Sequence, residues 1–133
     1  MRTACAALLT AMGLLATTAV SAHHSFPTEF DVKQPLTLQG TLVKWEMINP
    51  HSWFHVEVKG PDGKAVTWMI EGGSPNQLIR LGVTKNTLAL GTSLVIDGYR
   101  ARDGSNKVVG RNITLTDGKR LFLGGSAPGQ PAK

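Results

Sequence analysis

Hydrophobic and polar residues alternate along most of residues 36–123, and Gly, Pro and Asp-Gly turns separate the alternating runs. A period of two is typical of β-strands that bury one face. The pattern predicts an all-β fold, a small OB-like β-barrel of five to six strands, with one short α-helix between strands three and four. The predicted strands are Leu36–Met47, His51–Lys59, Ala65–Glu71, Thr92–Arg102, Val108–Thr116 and Lys119–Leu123.

The second predicted strand also shows which of its faces is buried. Phe54, Val56 and Val58 alternate with polar or amphipathic side chains, so the aliphatic face is expected to form part of the core. In the first predicted strand, Gly40 marks an expected bulge or a sharp bend at a barrel corner.

The predicted helix has start and stop signals at both ends. Ser74 is a suitable N-cap, Pro75 suits the first helical position, and Gln77 completes a Ser-x-x-Gln capping box. Gly82 can end the helix, which predicts about two turns.

The N-terminus has the pattern of a signal peptide. Arg2 precedes an apolar run from Ala4 to Val20, and small residues suited to cleavage after Ala22 follow. We therefore expect a periplasmic or secreted protein with no transmembrane segment after cleavage. The predicted organisation is a signal peptide at 1–22, an N-terminal arm at 23–35, the barrel domain at 36–123 and a disordered tail at 124–133.

The composition of the chain excludes several kinds of site and partner. The single cysteine, Cys5, lies within the predicted signal peptide, so the mature chain has no thiol for disulfides, thiolate metal sites or cysteine catalysis. Lys and Arg number 14 against 9 Asp and Glu, a net charge of +5. This mild basic bias suits an anionic envelope surface or an envelope protein as partner, and no nucleic acid partner is expected.

The histidines are the candidate metal ligands. Cleavage after Ala22 makes His23 the first residue, with its α-amine beside its imidazole, and both groups bind copper or, as second choice, zinc once they lose their protons. His51 and His55 cannot readily share one ion, because four residues of straight strand span about 13 Å. His51 follows the Asn49-Pro50 break at a strand mouth, so the predicted metal site is His23, His24 and His51.

Each of these residues has a structural alternative. His23 and His24 can be a solvated terminal dipeptide, and His51 can hydrogen-bond the bend after Pro50. His55 is then a surface residue, or a residue that contacts a metal-binding side chain without binding the metal itself.

A metal-free ligand site is a second hypothesis. Trp45, Trp53 and Trp68 can form an open stacking face of the kind that OB barrels use, with His55 beside Trp53. Such a face would bind a glycan, a lipid headgroup or a protein partner. The same tryptophans can instead be core or rim residues.

Three motifs resemble those of a family of small secreted bacterial proteins of unknown function. They are His-His-Ser-Phe at residues 23–26, Asn-Pro-His at residues 49–51 and Gly-Ser-Pro-Asn at residues 73–76, and the first two are the marks of that family. The resemblance implies an exported bacterial protein and brings no activity with it. An N-terminal histidine also resembles the histidine brace of periplasmic copper carriers and copper monooxygenases.

The sequence favours a binding protein over an enzyme. Ser25 lies next to His24, but no positioned carboxylate completes a hydrolytic triad. No second acid/base group stands out that would support a copper oxidase or monooxygenase.

Overall fold

The structure, a computed structural model, describes residues 26–130. The predicted signal peptide, His23 and His24 lie outside these residues. The elements in chain order are α1 (Phe26–Glu29), β1 (Phe30–Glu46), β2 (Trp53–Lys59), β3 (Ala65–Glu71), α2 (Pro75–Arg80), β4 (Ser93–Ala101), β5 (Lys107–Leu115) and β6 (Arg120–Phe122).

The six strands form one sheet that closes on itself. Their order is β3-β2-β1-β4-β5-β6, each neighbour is antiparallel, and a parallel pairing of β3 with β5 completes a ring of five strands. Closing the ring pairs the strand edges that an open sheet would leave exposed. The predicted all-β fold, with a short helix between strands three and four, is confirmed. Within the described residues, no helix has both the length and the apolar character needed to cross a membrane.

The main hydrophobic core lies inside the ring. Phe54 and Val56 are fully buried and Val58 packs against the same core, which confirms the predicted inner face of β2. Leu42 of β1 and Ile70 of β3 are also fully buried.

Strand β1 begins earlier than its sequence pattern indicates, at Phe30 instead of Leu36. Its pairing with β4 is irregular between Phe30 and Pro35, so the alternation that marks a strand is lost there. Phe26 and Phe30 nevertheless form a second core cluster with Ala101, Val109 and Ala127. The described part of the predicted N-terminal arm is thus packed against the sheet.

Gly40 is a point of close strand approach, and the bulge lies elsewhere on β1. The pairing of β1 with β2 shifts register between Leu42 and Lys44, which places the irregularity at Val43. A Cβ added at Gly40 would lie 2.4 Å from the Glu57 carbonyl oxygen. Only glycine fits this contact without a backbone shift.

The predicted N-cap of α2, Ser74, is confirmed. The Ser74 side chain accepts a hydrogen bond from the Gln77 backbone N–H at 3.3 Å. The Gln77 side chain does not complete the capping box; its Oε1 accepts from the Gly125 N–H at 3.1 Å. It therefore links the helix to the segment after β6.

Residues 124–130, where the sequence predicts disorder, also make specific contacts. The Gln130 side chain accepts from the Gly124 N–H at 2.9 Å and donates to the Arg111 carbonyl at 2.8 Å. Ala127 is only 4% exposed.

Candidate functional site

A groove of about 600 Å³ opens at one end of the ring. Four parts of the chain line it: the segment before β1, the loop from β1 to β2 with the first residue of β2, the end of β3, and the two residues after β4. The lining residues are Thr28, Glu29, Ile48, Asn49, Pro50, His51, Trp53, Glu71, Arg102 and Asp103.

Backbone contacts hold His51 in the groove wall. The Asn49-Pro50 peptide is cis. The next residue, Ser52, is fully buried; its N–H donates to the Gly73 carbonyl at 2.9 Å, and its carbonyl accepts from the Gly72 N–H at 2.9 Å. These two bonds tie the chain at His51 to the end of β3.

That pairing brings His51 against Glu71. The His51 Nδ1 is buried and lies 2.7 Å from the Glu71 Oε1, an ion-pair distance without the direction of a good hydrogen bond. The carboxylate is 8% exposed and the imidazole 28% exposed. His51 lines the groove, so a ligand in the groove can reach the exposed part of its ring. Metal-binding histidines commonly have a carboxylate beside their second ring nitrogen, and Glu71 stands in that place for His51.

His55 makes a second histidine–carboxylate pair outside the groove. Its Nε2 lies 2.8 Å from the Glu46 Oε2, and Lys44 binds the other oxygen of the same carboxylate. The hydrogen bond from Lys44, and then that from His55, lowers the pKa of Glu46. In the strand register His55 lies opposite Lys44 and Met69, and it does not line the groove.

The three tryptophans lie on two faces of the sheet. Trp45 pairs with Phe54 and Trp68 pairs with Val56, and both tryptophans pack against the main core. Trp53 points to the outer face and is the one that lines the groove.

Cationic side chains approach two of the tryptophan rings. The Lys107 Nζ lies 5.7 Å from the Trp53 ring centroid. The Arg100 Cζ lies 5.6 Å from that of Trp68.

The segment before β1 forms part of the groove wall. Thr28 and Glu29 line the groove, and the Glu29 Oε1 accepts a hydrogen bond from the Lys107 Nζ at 2.9 Å. That hydrogen bond raises the pKa of Lys107. His24, a predicted ligand, precedes Phe26 by two residues in the sequence.

The groove carries more acidic than basic groups. Glu29, Glu71 and Asp103 line it together with one arginine, Arg102. Hydrogen bonds from Ser105 lower the pKa of Asp103, which keeps this carboxylate charged at neutral pH.

Glu71 could not be identified from the sequence as a site residue. It ends a strand with ordinary alternation, and it meets His51 only because β2 and β3 are paired. Within residues 26–130 there is no group of three His, Cys, Asp or Glu side chains placed to hold a metal ion. Two of the three predicted ligands, His23 and His24, precede this range.

No curated protein and no solved structure matches the chain. A family model described as "Family of unknown function (DUF6152)" matches residues 12–111. The matched range includes the groove residues from Thr28 to Asp103 and all four histidines. The chain therefore belongs to this family of unknown function.

Proposed function

We propose that this protein is an exported copper-binding protein whose site combines the α-amine and imidazole of His23 with His24 and His51. The observation that carries the proposal is the setting of His51. Its Nδ1 lies against the nearly buried Glu71 carboxylate, and the residue lines a groove together with Thr28 and Glu29. Zinc is the second choice of metal.

The chemistry of these groups suits copper. Imidazole titrates near 6.5 and an α-amine near 8, so both give up their protons to a metal at neutral pH. Copper(II) stands highest among the divalent first-row metals in affinity for such nitrogen ligands. The negative charge of Glu29, Glu71 and Asp103 favours a cation in the groove.

Chain length supports the combination of ligands. His23 and His24 precede Phe26 by three and two residues. An extended chain covers about 3.3–3.6 Å per residue, so the two histidines are within about 7–11 Å of chain from Phe26. Thr28, two residues after Phe26, already lines the groove that contains His51.

The test begins with the exported protein purified from its own compartment. Intact and elemental mass spectrometry should find a chain that begins at His23 and carries about one copper per protein. In a titration against a competing chelator, His51→Ala should weaken copper binding at least about tenfold. A chain that begins elsewhere, or one that takes up no copper, would overturn the proposal.

His55→Ala is the matched control, because it removes the other histidine paired to a carboxylate. It should leave copper affinity unchanged. Equal losses of copper affinity in His51→Ala and His55→Ala would contradict the specific role of His51 as a ligand.

A second candidate function is metal-free binding of an envelope ligand or protein partner in the same groove. The observation that favours it is the apolar part of the groove lining, where Ile48 is 52% exposed and Trp53 also takes part. Under this alternative, Trp53→Ala abolishes ligand binding, His51→Ala retains it, and the protein binds no copper.

A further inference from the structure

Strand β5 carries a bulge at Arg111. Its pairing with β4 passes from Asp97 opposite Asn112 to Gly98 opposite Gly110, so Arg111 is the extra residue between two regular pairs. A bulge bends its strand and re-aims a side chain, and bulges are frequent next to active sites. The irregular pairing therefore gives the Arg111 side chain a direction that regular alternation would not give.

The Arg111 guanidinium is a half-buried charge without a partner among residues 26–130. Its Nε is buried and has no hydrogen-bond partner there, and none of the ion pairs among those residues includes Arg111. The Gly129 backbone lies beside this nitrogen, since a Cβ added at Gly129 would lie 3.3 Å from it. Buried polar groups are almost always paired, and a shielded charge without a partner is costly. The guanidinium is therefore suited to an anionic ligand.

Arg111 lines a small cavity on the sheet. The cavity has a volume of about 180 Å³, and its lining comes from β1, β4 and β5: Pro35, Leu36, Thr37, Asp97, Gly98, Tyr99 and Arg111. Pockets for drug-sized ligands are larger, at roughly 300–1,000 Å³, so this one fits only a small molecule. None of its lining residues lines the groove that contains His51.

Asp97 supplies a fixed acceptor in the same cavity. Its Oδ1 accepts from the Thr37 hydroxyl at 2.8 Å, and its Oδ2 accepts from the Asn112 amide at 2.9 Å. Asn112 is 1% exposed, so the second bond is shielded from water. A carboxylate has about four lone-pair sites, so these two bonds leave capacity for another donor. The cavity thus presents an anion and a cation that do not pair with each other.

We propose that this cavity binds a small α-amino or α-hydroxy acid. The ligand carboxylate pairs with Arg111, because the forked donors of a guanidinium match a carboxylate. The ammonium or hydroxyl group on the adjacent carbon donates to Asp97. One such ligand satisfies both charged side chains, whereas a plain carboxylate satisfies only Arg111. The site uses no residue of the proposed copper site and does not depend on it.

NMR titration of the ¹⁵N-labelled, metal-free exported protein tests this with three acids that differ only at the α-carbon: L-alanine, L-lactate and propionate. L-alanine or L-lactate should shift the Arg111 Nε–H resonance together with the backbone resonances of Gly98 and Asn112. The shifts should saturate with a Kd of about 1 mM or tighter. Propionate has no donor for Asp97 and should bind at least about tenfold more weakly. The tighter of the two α-substituted acids identifies the ligand class.

Substitutions test the two charged residues separately. Arg111→Lys should weaken binding of the preferred acid at least about tenfold, because a lysine ammonium lacks the guanidinium fork. Arg120→Lys is the matched control, since Arg120 is exposed on β6 and does not line the cavity, and it should leave binding unchanged. Asp97→Asn should remove most of the preference over propionate. Thermal unfolding of each ligand-free variant checks that the fold is retained.

The acid series tests the Asp97 contact in the wild type without any substitution. Absence of saturable shifts with all three acids overturns the proposal. Equal affinities for propionate and the α-substituted acids overturn the role of Asp97, and unchanged binding in Arg111→Lys overturns that of Arg111. The proposed copper function is tested by other residues and stands or falls separately.

Discussion

The two histidine–carboxylate pairs differ in burial and in the partners of the carboxylate. Glu71 is 8% exposed and faces His51 at the groove, whereas Glu46 is 32% exposed and shares its charge between His55 and Lys44. A buried carboxylate needs a partner because its desolvation is costly. Glu71 meets that need in part through His51, whose Nδ1 lies 2.7 Å from its Oε1 at the groove.

Under the proposed function, replacing Glu71 should weaken copper binding, because Glu71 lies against His51. We expect Glu71→Gln to weaken binding about 10- to 100-fold, since carboxylates behind metal-bound histidines commonly contribute this much. Glu46→Gln, the same change in the other pair, should have no effect in the same chelator competition. Equal affinities of the two variants would contradict the role given to Glu71.

Glu46 should make stability depend on acid pH. Its pKa is lowered from 4.5 in the fold by hydrogen bonds from Lys44 and His55, so the folded state favours its charged form. This contribution is present above pH 4.5 and is lost as pH falls through the lowered pKa. The difference in unfolding free energy between wild type and Glu46→Gln should thus shrink below pH 4.5 in urea titrations. A difference that stays constant from pH 7 to pH 3 would contradict this assignment.

At the scale of elements, neighbouring strands of the ring approach each other closely at glycines. Gly40 on β1 lies against the Glu57 backbone of β2, and Gly98 on β4 lies against the Val109 backbone of β5. A Cβ at either position would lie less than 2.5 Å from a carbonyl oxygen of the neighbouring strand. The strands can shift only together, since each is hydrogen-bonded on both sides within the ring.

Gly40→Ala should therefore destabilise the fold by about 1–3 kcal/mol, the usual cost of overpacking. Gln39→Ala is the control on the same strand, because Gln39 is exposed, and it should change stability by no more than about 0.5 kcal/mol. Urea unfolding measures both. A Gly40→Ala protein as stable as the control would mean that β1 and β2 can separate without cost.

At the scale of the molecule, both ends of the described chain meet in one small core. Phe26 and Phe30 precede the predicted barrel domain, Ala127 follows it, and the three pack with Ala101 and Val109. This cluster joins the segment that leads to the groove with the sheet. The fold therefore includes residues that the sequence pattern assigns to an arm and a tail.

Phe30→Ala tests this extension of the domain. Phe30 is 1% exposed, so its truncation should lower the free energy of unfolding by about 3–5 kcal/mol. Val32→Ala, at a position 50% exposed on the same segment, should cost about 0.5 kcal/mol or less. Similar small losses in both variants, measured by urea unfolding, would mean that the segment is a separable arm.

Local pattern alone determined much of this protein. The third predicted strand, Ala65–Glu71, has the bounds of β3, and Ser74 caps the helix as its sequence context indicates. Such features depend on neighbours within a few residues, so periodicity and capping residues are enough to predict them. His51 could be chosen as a candidate because it follows the Asn49-Pro50 break in a chain with four histidines.

Only the tertiary structure decided which groups surround His51. Glu71 lies twenty residues further along the chain, and Lys107 meets Glu29 across a separation of 78 residues. Alternation specifies which face of a strand is buried, but it does not specify which strands become neighbours or in what register. Closure of the ring determined both, and so it brought Glu71 and the segment before β1 to the groove that His51 lines.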